Sequence, residues 1–172
     1  FFFKQKTAYE ISTRDWSSDV CSSDLTIGKG SAVSAITAST AHLSARISIS
    51  DVAAAPGERL SIVADVTPAR GVHVYAPGKH TYQVINVTVD PQPWLKPAAT
   101  VYPAPEIYHF KPLDEHVEVY ARAAQLRRDV TVLATPDAQK LLAGRTSIAI
   151  GGALEYQACD DKVCFNPSRI PF

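Results

Sequence analysis

The sequence has no methionine, only three cysteines among 172 residues, and no excess of charge of either sign. Its 17 Lys and Arg residues balance 17 Asp and Glu residues, and no long block of like charges occurs. This balance argues against nucleic acid or an anionic membrane surface as the main partner. No apolar run approaches the roughly 18 residues that a bilayer requires, so no membrane span is predicted in this chain.

The first 25 residues do not have the pattern of a folded segment. They open with three phenylalanines and contain Ser-Ser-Asp twice. The segment resembles a translated sequencing adapter and lacks the apolar core of a signal peptide. We therefore interpret residues 1–25 as a non-native artefact and set Cys21 aside with them, which leaves an even number of cysteines. The alternative is that Cys21 is a genuine free thiol.

The rest of the chain divides into a leader and one domain. Residues 26–42 are small and polar, which predicts a flexible leader without a buried face. Residues 43–172 are long enough for one domain with a core of its own. The final residues begin another strand-like pattern and then stop, so we expect this domain to be truncated at its C-terminus.

From Leu43 onward the dominant pattern is alternation of apolar and polar residues with a period of two. Turn-forming pairs such as Pro56-Gly57 and Pro77-Gly78 separate the alternating segments. Several short strands of this kind predict an all-β sandwich. One short helical turn is predicted where Thr135 suits the N-cap, Pro136 follows it, and Gly144 stands beyond the end.

Two cysteines, Cys159 and Cys164, are separated by four residues between apolar flanks. If the flanks are antiparallel strands, the polar turn between them brings both sulfurs within disulfide distance. Closing a loop of about six residues stabilises a fold by roughly 2 kcal/mol, which is less than a long loop would yield. Such a pair suits redox exchange, but the residues alone leave a structural disulfide equally open. Strand parity places both cysteines on the side opposite Leu154 and Tyr156.

Residues 103–115 contain three prolines and the aromatic residues Tyr108 and Phe110, without a clear periodicity. A loop of this length is unusual in a compact β domain, and long loops are often functional. Two interpretations are open: a functional loop, or a loop whose aromatic residues only plug the end of the sandwich.

Metal binding is the main rival explanation for cysteines in a chain that also contains histidines. Structural zinc sites usually combine two close pairs of ligands. Here there is one cysteine pair, and His109 and His116 lie far from it in the sequence. His73 and His80 belong to no ligand motif and are predicted to be strand-edge or loop residues. We therefore predict no metal site and no cofactor.

Three segments together resemble one protein family. Residues 156–167, Tyr-Gln-Ala-Cys-Asp-Asp-Lys-Val-Cys-Phe-Asn-Pro, resemble the active-site segment of the N-terminal periplasmic domain of the thiol:disulfide interchange protein DsbD. Residues 71–78, and residues 102–106 followed by 117–120, resemble further segments of that family in order and spacing. Many members carry a second proline where this chain has Asn166, a change that we do not expect to affect redox chemistry.

The resemblance implies an immunoglobulin-like antiparallel β-sandwich that acts as a protein-disulfide reductase module in the periplasm, in a system linked to cytochrome c biogenesis. It implies that electrons pass from a thioredoxin-like partner domain, through Cys159 and Cys164, to a periplasmic disulfide isomerase or similar client. In this scheme Cys164 attacks the client disulfide and Cys159 resolves the intermediate. A mobile cap loop covers the cysteines in this family; it falls in the region of residues 103–115, which implies a binding role for Tyr108 and Phe110. The alternative function is a non-catalytic interaction module with a structural disulfide.

Overall fold

The computed structural model describes residues 25–28, 35–51, 53–111 and 114–172. Within these ranges the chain forms fourteen β-strands and one short α-helix, Pro136–Leu142 (α1). In chain order the strands are Leu25–Gly28 (β1), Ala35–Ser39 (β2), Leu43–Ile49 (β3), Arg59–Pro68 (β4), His73–Tyr75 (β5), Asn86–Val89 (β6), Leu95–Val101 (β7), Glu106–Phe110 (β8), Glu115–Tyr120 (β9), Ala124–Val132 (β10), Ser147–Ile150 (β11), Gly152–Tyr156 (β12), Ala158–Cys159 (β13) and Ser168–Pro171 (β14).

The strands form four antiparallel sheets. The largest has five strands in the order β2-β3-β4-β10-β7, and a two-stranded sheet joins β1 to β11. The other two sheets have the orders β14-β12-β6 and β13-β5-β9-β8. The predicted all-β, immunoglobulin-like architecture is confirmed. The described part of the chain contains no helix with the length and apolar character that crossing a membrane requires.

The five-stranded sheet packs against the other sheets in one continuous apolar core. On β3 and β4 alternate residues are buried, because successive side chains of a strand point to opposite faces. These two strands contribute Leu43, Ala45, Ile47, Ile49, Leu60, Ile62, Ala64 and Val66 to the core. Val87 of β6 and Leu154 and Tyr156 of β12 join the same core. The alternation read from the sequence therefore marks the buried face of the sandwich.

The short helix forms as the sequence predicts. The side chain of Thr135 accepts a hydrogen bond from the backbone N–H of Ala138 at 3.3 Å, which satisfies one of the unpaired donors of the first turn. Pro136 occupies the first helical position, where its missing N–H costs nothing. Gly144, just beyond the helix, has a φ of +73°, a conformation that glycine adopts without a steric penalty.

The leader predicted for residues 26–42 is only partly compatible with the structure. Ala35–Ser39 pairs with β3 at the edge of the five-stranded sheet, and Leu25 begins β1 and pairs with Ile150. The side chains of β2 are exposed or half-buried, and Ile36 and Ala38 form a short apolar face that packs against the core. Residues 1–24 lie outside the described residues, and their interpretation as an artefact stays a prediction.

The prediction of an irregular loop over residues 103–115 is wrong for residues 106–110. Glu106–Phe110 pairs with Glu115–Tyr120 in a hairpin, which we call the cap hairpin. On β8, Tyr108 and Phe110 are half-buried whereas Ile107 and His109 are exposed. The exposed residues include an isoleucine and the half-buried ones are aromatic, so the strand lacks the apolar–polar contrast from which a period of two is recognised.

Candidate active site

Cys159 and Cys164 form a disulfide, and their Cα atoms lie 4.0 Å apart. Cys159 ends β13, and Cys164 lies opposite it in an isolated antiparallel bridge. The two halves of the disulfide differ in exposure: Cys159 is 1% exposed, whereas Cys164 is an exposed residue. A partner that approaches from solvent therefore meets Cys164 first.

The turn between the two cysteines is held by Asp160. Its Oδ1 atom accepts hydrogen bonds from the backbone N–H groups of Lys162 and Val163, both at 2.8 Å. Its own backbone N–H donates to the carbonyl of Val163 at 3.0 Å. The hydrogen bonds from Val163 and then Lys162 lower the pKa of Asp160, because they favour the ionised carboxylate. These hydrogen bonds between the Asp160 side chain and the backbone stabilise a tight turn, which places Cys164 beside Cys159.

Tyr75 of β5 contacts both sulfurs. Its hydroxyl donates a hydrogen bond to Cys159 Sγ at 3.1 Å and lies 3.4 Å from Cys164 Sγ. Its ring stacks on Tyr82 with centroids 4.2 Å apart, and the Tyr82 hydroxyl donates to Glu115 Oε2 at 2.9 Å. Burial, and to a smaller extent the nearby Tyr82 and Glu115, raise the pKa of Tyr75 to about 12. The phenol therefore keeps its proton at neutral pH and remains a hydrogen-bond donor to sulfur.

His73 lies on the same face of β5 as Tyr75, because the two residues are two positions apart. β5 pairs with β13 so that His73 is directly opposite Cys159. The imidazole is 5% exposed and packs against the ring of Tyr108, with centroids 4.4 Å apart. Burial lowers the pKa of His73, and Asp160 partly offsets that effect. The expectation of a strand-edge or loop position is wrong for His73, since β5 lies between β13 and β9 in its sheet, whereas His80 lies in the loop between β5 and β6.

The cap hairpin places Tyr108 and Phe110 beside the disulfide. Both aromatic residues line a small cavity that Cys159 and Cys164 also line. The volume of this cavity is about 30 Å³. Such a space holds about two waters and has no room for a polypeptide segment. The structure thus brings the four residues singled out in the sequence together around one cavity, and their catalytic and binding roles stay predictions.

Sequence reasoning missed four residues that surround the disulfide: His73, Tyr75, Tyr82 and Glu115. His73 and Tyr75 fall within residues 71–78, a segment already singled out, and their spacing of two shows that they share a face. Glu115 ends the stretch 103–115, which was singled out for its aromatic residues. For Tyr82 the sequence offers no signal, because it reaches the site from the loop between β5 and β6.

The comparison with protein families decides which family this is. The sequence model of the family described as thiol:disulfide interchange protein DsbD, N-terminal, matches residues 44–170. The chain belongs to this family. Family membership supports thiol:disulfide exchange in general, and the disulfide found among the described residues is Cys159–Cys164.

A solved structure agrees with the fold. The N-terminal periplasmic domain of ScsB from Proteus mirabilis is 12% identical with a TM-score of 0.54, over 87% of this chain and 51% of that one. The chain thus spans about half the length of that structure. The reduced N-terminal domain of DsbD from Neisseria meningitidis is 19% identical with a TM-score of 0.42, over 69% of this chain and 76% of that one. No curated protein matches this chain by sequence.

Proposed function

We propose that this domain works in the periplasm as a protein-disulfide reductase module. It takes electrons from a thioredoxin-like domain and passes them to a disulfide isomerase or similar client through Cys159 and Cys164. The observation that carries the proposal is the unequal exposure of the two cysteines, with Cys164 exposed and Cys159 buried under aromatic side chains. A structural disulfide has no need of such an asymmetry, whereas an exchanging pair needs one sulfur that a partner reaches and one that resolves the intermediate.

The domain is first reduced. A thiolate of the donor attacks Cys164 Sγ and breaks its bond to Cys159, which leaves as a thiolate and takes up a proton. A mixed disulfide then joins the donor to Cys164. A second donor thiolate attacks the donor sulfur of this mixed disulfide and releases Cys164. The donor dithiol becomes a disulfide, and the cysteine pair of this domain has gained two electrons and two protons.

The domain then reduces its client. The thiolate of Cys164 attacks one sulfur of the client disulfide, and the other client sulfur leaves and takes up a proton. Cys159, as a thiolate, next attacks Cys164 Sγ and releases the second client sulfur. The Cys159–Cys164 bond is restored, and the client has gained the two electrons that the pair has lost.

Tyr75 serves both half-reactions as a positioning residue. Its hydroxyl lies 3.1 Å from Cys159 Sγ, and hydrogen bonds to ionised groups are stronger than those to neutral ones. It therefore stabilises Cys159 as a leaving thiolate when the domain is reduced. The same bond favours the thiolate that resolves the client intermediate.

Tyr108 and Phe110 act as the cap. They line the cavity beside the sulfurs, and about 30 Å³ leaves no room for a client strand. The cap hairpin must therefore move, or its aromatic side chains must turn, before a client segment fits beside the two sulfurs, although Cys164 itself is exposed. This requirement restricts exchange to partners that dock, and it limits reaction with small thiols.

The reduction potential tests this function against that of an interaction module. We would equilibrate the full chain, carrying Cys21→Ser so that only one pair titrates, with glutathione or dithiothreitol buffers. A potential between about −180 and −270 mV, the range of exchange proteins, is expected. A potential well below about −300 mV is typical of structural disulfides and would replace the reductase function with the non-catalytic interaction module.

The order of attack is tested with single-cysteine variants in the same background. Cys159→Ser leaves Cys164 free to attack and removes the resolving thiol, so it should accumulate mixed disulfides with oxidised glutathione and with a disulfide isomerase. Cys164→Ser leaves only the buried Cys159 and should accumulate few. If Cys164→Ser alone traps the partner, the two roles are reversed.

A further inference from the structure

The outer face of the cap hairpin carries a cluster that disulfide exchange does not use. His109 of β8 lies directly opposite His116 of β9, and their rings are stacked with centroids 4.2 Å apart and an angle of 7°. Asp114, in the turn that joins the strands, pairs with His109, the Nε2–Oδ1 distance being 2.8 Å. One nitrogen of each histidine and one oxygen of Asp114 all lie within 4.8 Å of one another.

We propose that His109, Asp114 and His116 bind a divalent transition-metal ion of the Zn²⁺ class. Imidazole nitrogen and carboxylate oxygen are common zinc ligands, and three protein ligands leave a fourth tetrahedral position for water. Ligand atoms about 2.1 Å from a tetrahedral zinc ion lie about 3.4 Å apart. Atoms already within 4.8 Å reach that spacing by small side-chain rotations.

The location of the cluster allows these rotations and gives the ion access. All three residues are exposed, so no covering element opposes a shift of their side chains, and the contact that must give way is the stacking of the two imidazole rings. The three ligands come from both strands of the hairpin and from its turn, so a bound ion would cross-link the hairpin at its tip. The site lies on the face of β8 opposite Tyr108 and Phe110, because His109 alternates with them along the strand.

The donor set also predicts which ions bind. Two imidazoles favour zinc, copper and nickel, whereas magnesium and calcium prefer sites made of oxygen. Affinity should follow the general order in which Cu²⁺ binds more tightly than Zn²⁺, and Mn²⁺ least tightly. From the sequence no metal site is predicted, because only the register of β8 and β9 shows that His109 and His116 are neighbours.

The test is a titration of the full chain with Zn²⁺ alone, by calorimetry and by competition with a chromogenic chelator. The chain carries no histidine tag, Cys21 is replaced by Ser, and Cys159–Cys164 stays oxidised so that no thiolate competes for zinc. We expect one ion per chain. The double variant His109→Gln/His116→Gln should weaken binding at least about tenfold, since loss of a mere outer-shell partner already costs 10–100-fold.

A matched control removes a histidine outside the cluster. His42 stacks on Phe165 instead, and His42→Gln should leave zinc binding unchanged. The proposal is overturned if the chain binds no Zn²⁺, if it binds Mg²⁺ equally well, or if the double variant binds zinc as the parent does. Should the double variant fail to fold, Asp114→Ala decides by the same criterion of a tenfold loss. Because the disulfide stays closed throughout, neither outcome depends on the redox function.

Discussion

Replacing Tyr75 by Phe removes a single hydroxyl from the site. The hydroxyl donates to Cys159 Sγ at 3.1 Å and lies 3.4 Å from Cys164 Sγ. The ring that remains still stacks on Tyr82, so the cavity keeps its shape. Because the pKa of Tyr75 is raised to about 12, the hydroxyl is protonated wherever the thiols titrate and always acts as a donor. The variant therefore isolates one hydrogen bond to sulfur.

The magnitude follows from the difference between two kinds of hydrogen bond. A bond to a neutral group contributes about 0.5–1.5 kcal/mol and one to an ionised group about 1.5–3 kcal/mol. The thiolate thus gains about 1–1.5 kcal/mol over the thiol, which is about one pKa unit. Tyr75→Phe should raise the lower macroscopic thiol pKa of the pair by about one unit. The rate of alkylation at neutral pH should fall about three- to fourfold, since a more basic thiolate is also more nucleophilic.

The assay is a pH titration of thiolate absorbance and of iodoacetamide reaction, on the reduced chain with Cys21→Ser. The matched control is Tyr82→Phe, which removes a hydroxyl that donates to Glu115 Oε2 instead of to sulfur. We expect the control to leave the thiol pKa within a few tenths of a unit of the parent. An unchanged or lowered thiol pKa in Tyr75→Phe would show that the hydroxyl does not stabilise the thiolate.

Three further predictions concern the surroundings of the disulfide. Tyr108→Ala should speed reduction by dithiothreitol roughly two- to tenfold, because it removes an aromatic contact worth about 0.5–1.5 kcal/mol, while Ile107→Ala, 63% exposed on the other face, should not. Since burial lowers the pKa of His73, the unfolded chain binds its proton more readily; unfolding free energy should fall below about pH 6.5, and less so in His73→Phe. Asp160→Ala should destabilise the chain above about pH 4, and the effect should fade at lower pH because the carboxylate of the parent, whose pKa is lowered, becomes protonated there. Asp160→Asn keeps a hydrogen-bond acceptor and is the control. Denaturant titrations at several pH values measure the unfolding free energy of both variants.

The architecture and the cysteine pair could be predicted from the sequence. The sandwich was predictable because a strand buried on one face must alternate, as Leu43 to Ile49 do. The cap of α1 was predictable because Thr135 and Pro136 act on the backbone of the next few residues. The alternation of side chains along the strand also predicted that Cys159 lies on the side opposite Leu154. In the structure the two residues belong to different hydrophobic clusters. All three are local effects, which spacing along the chain records directly.

The residues that surround the sulfurs could not be predicted, because they come together through long-range strand pairing. Tyr75 touches Cys159 across 84 positions in the sequence, and that contact depends on the pairing of β5 with β13. Likewise, His109 and His116 become neighbours through the register of the cap hairpin. The sequence did not reveal this hairpin, because its exposed residues are not uniformly polar. The pairing of strands as distant in sequence as β5 and β13 follows from the packing of the whole core and not from local preference. The cysteine pair was therefore identified from the sequence, but its environment was not.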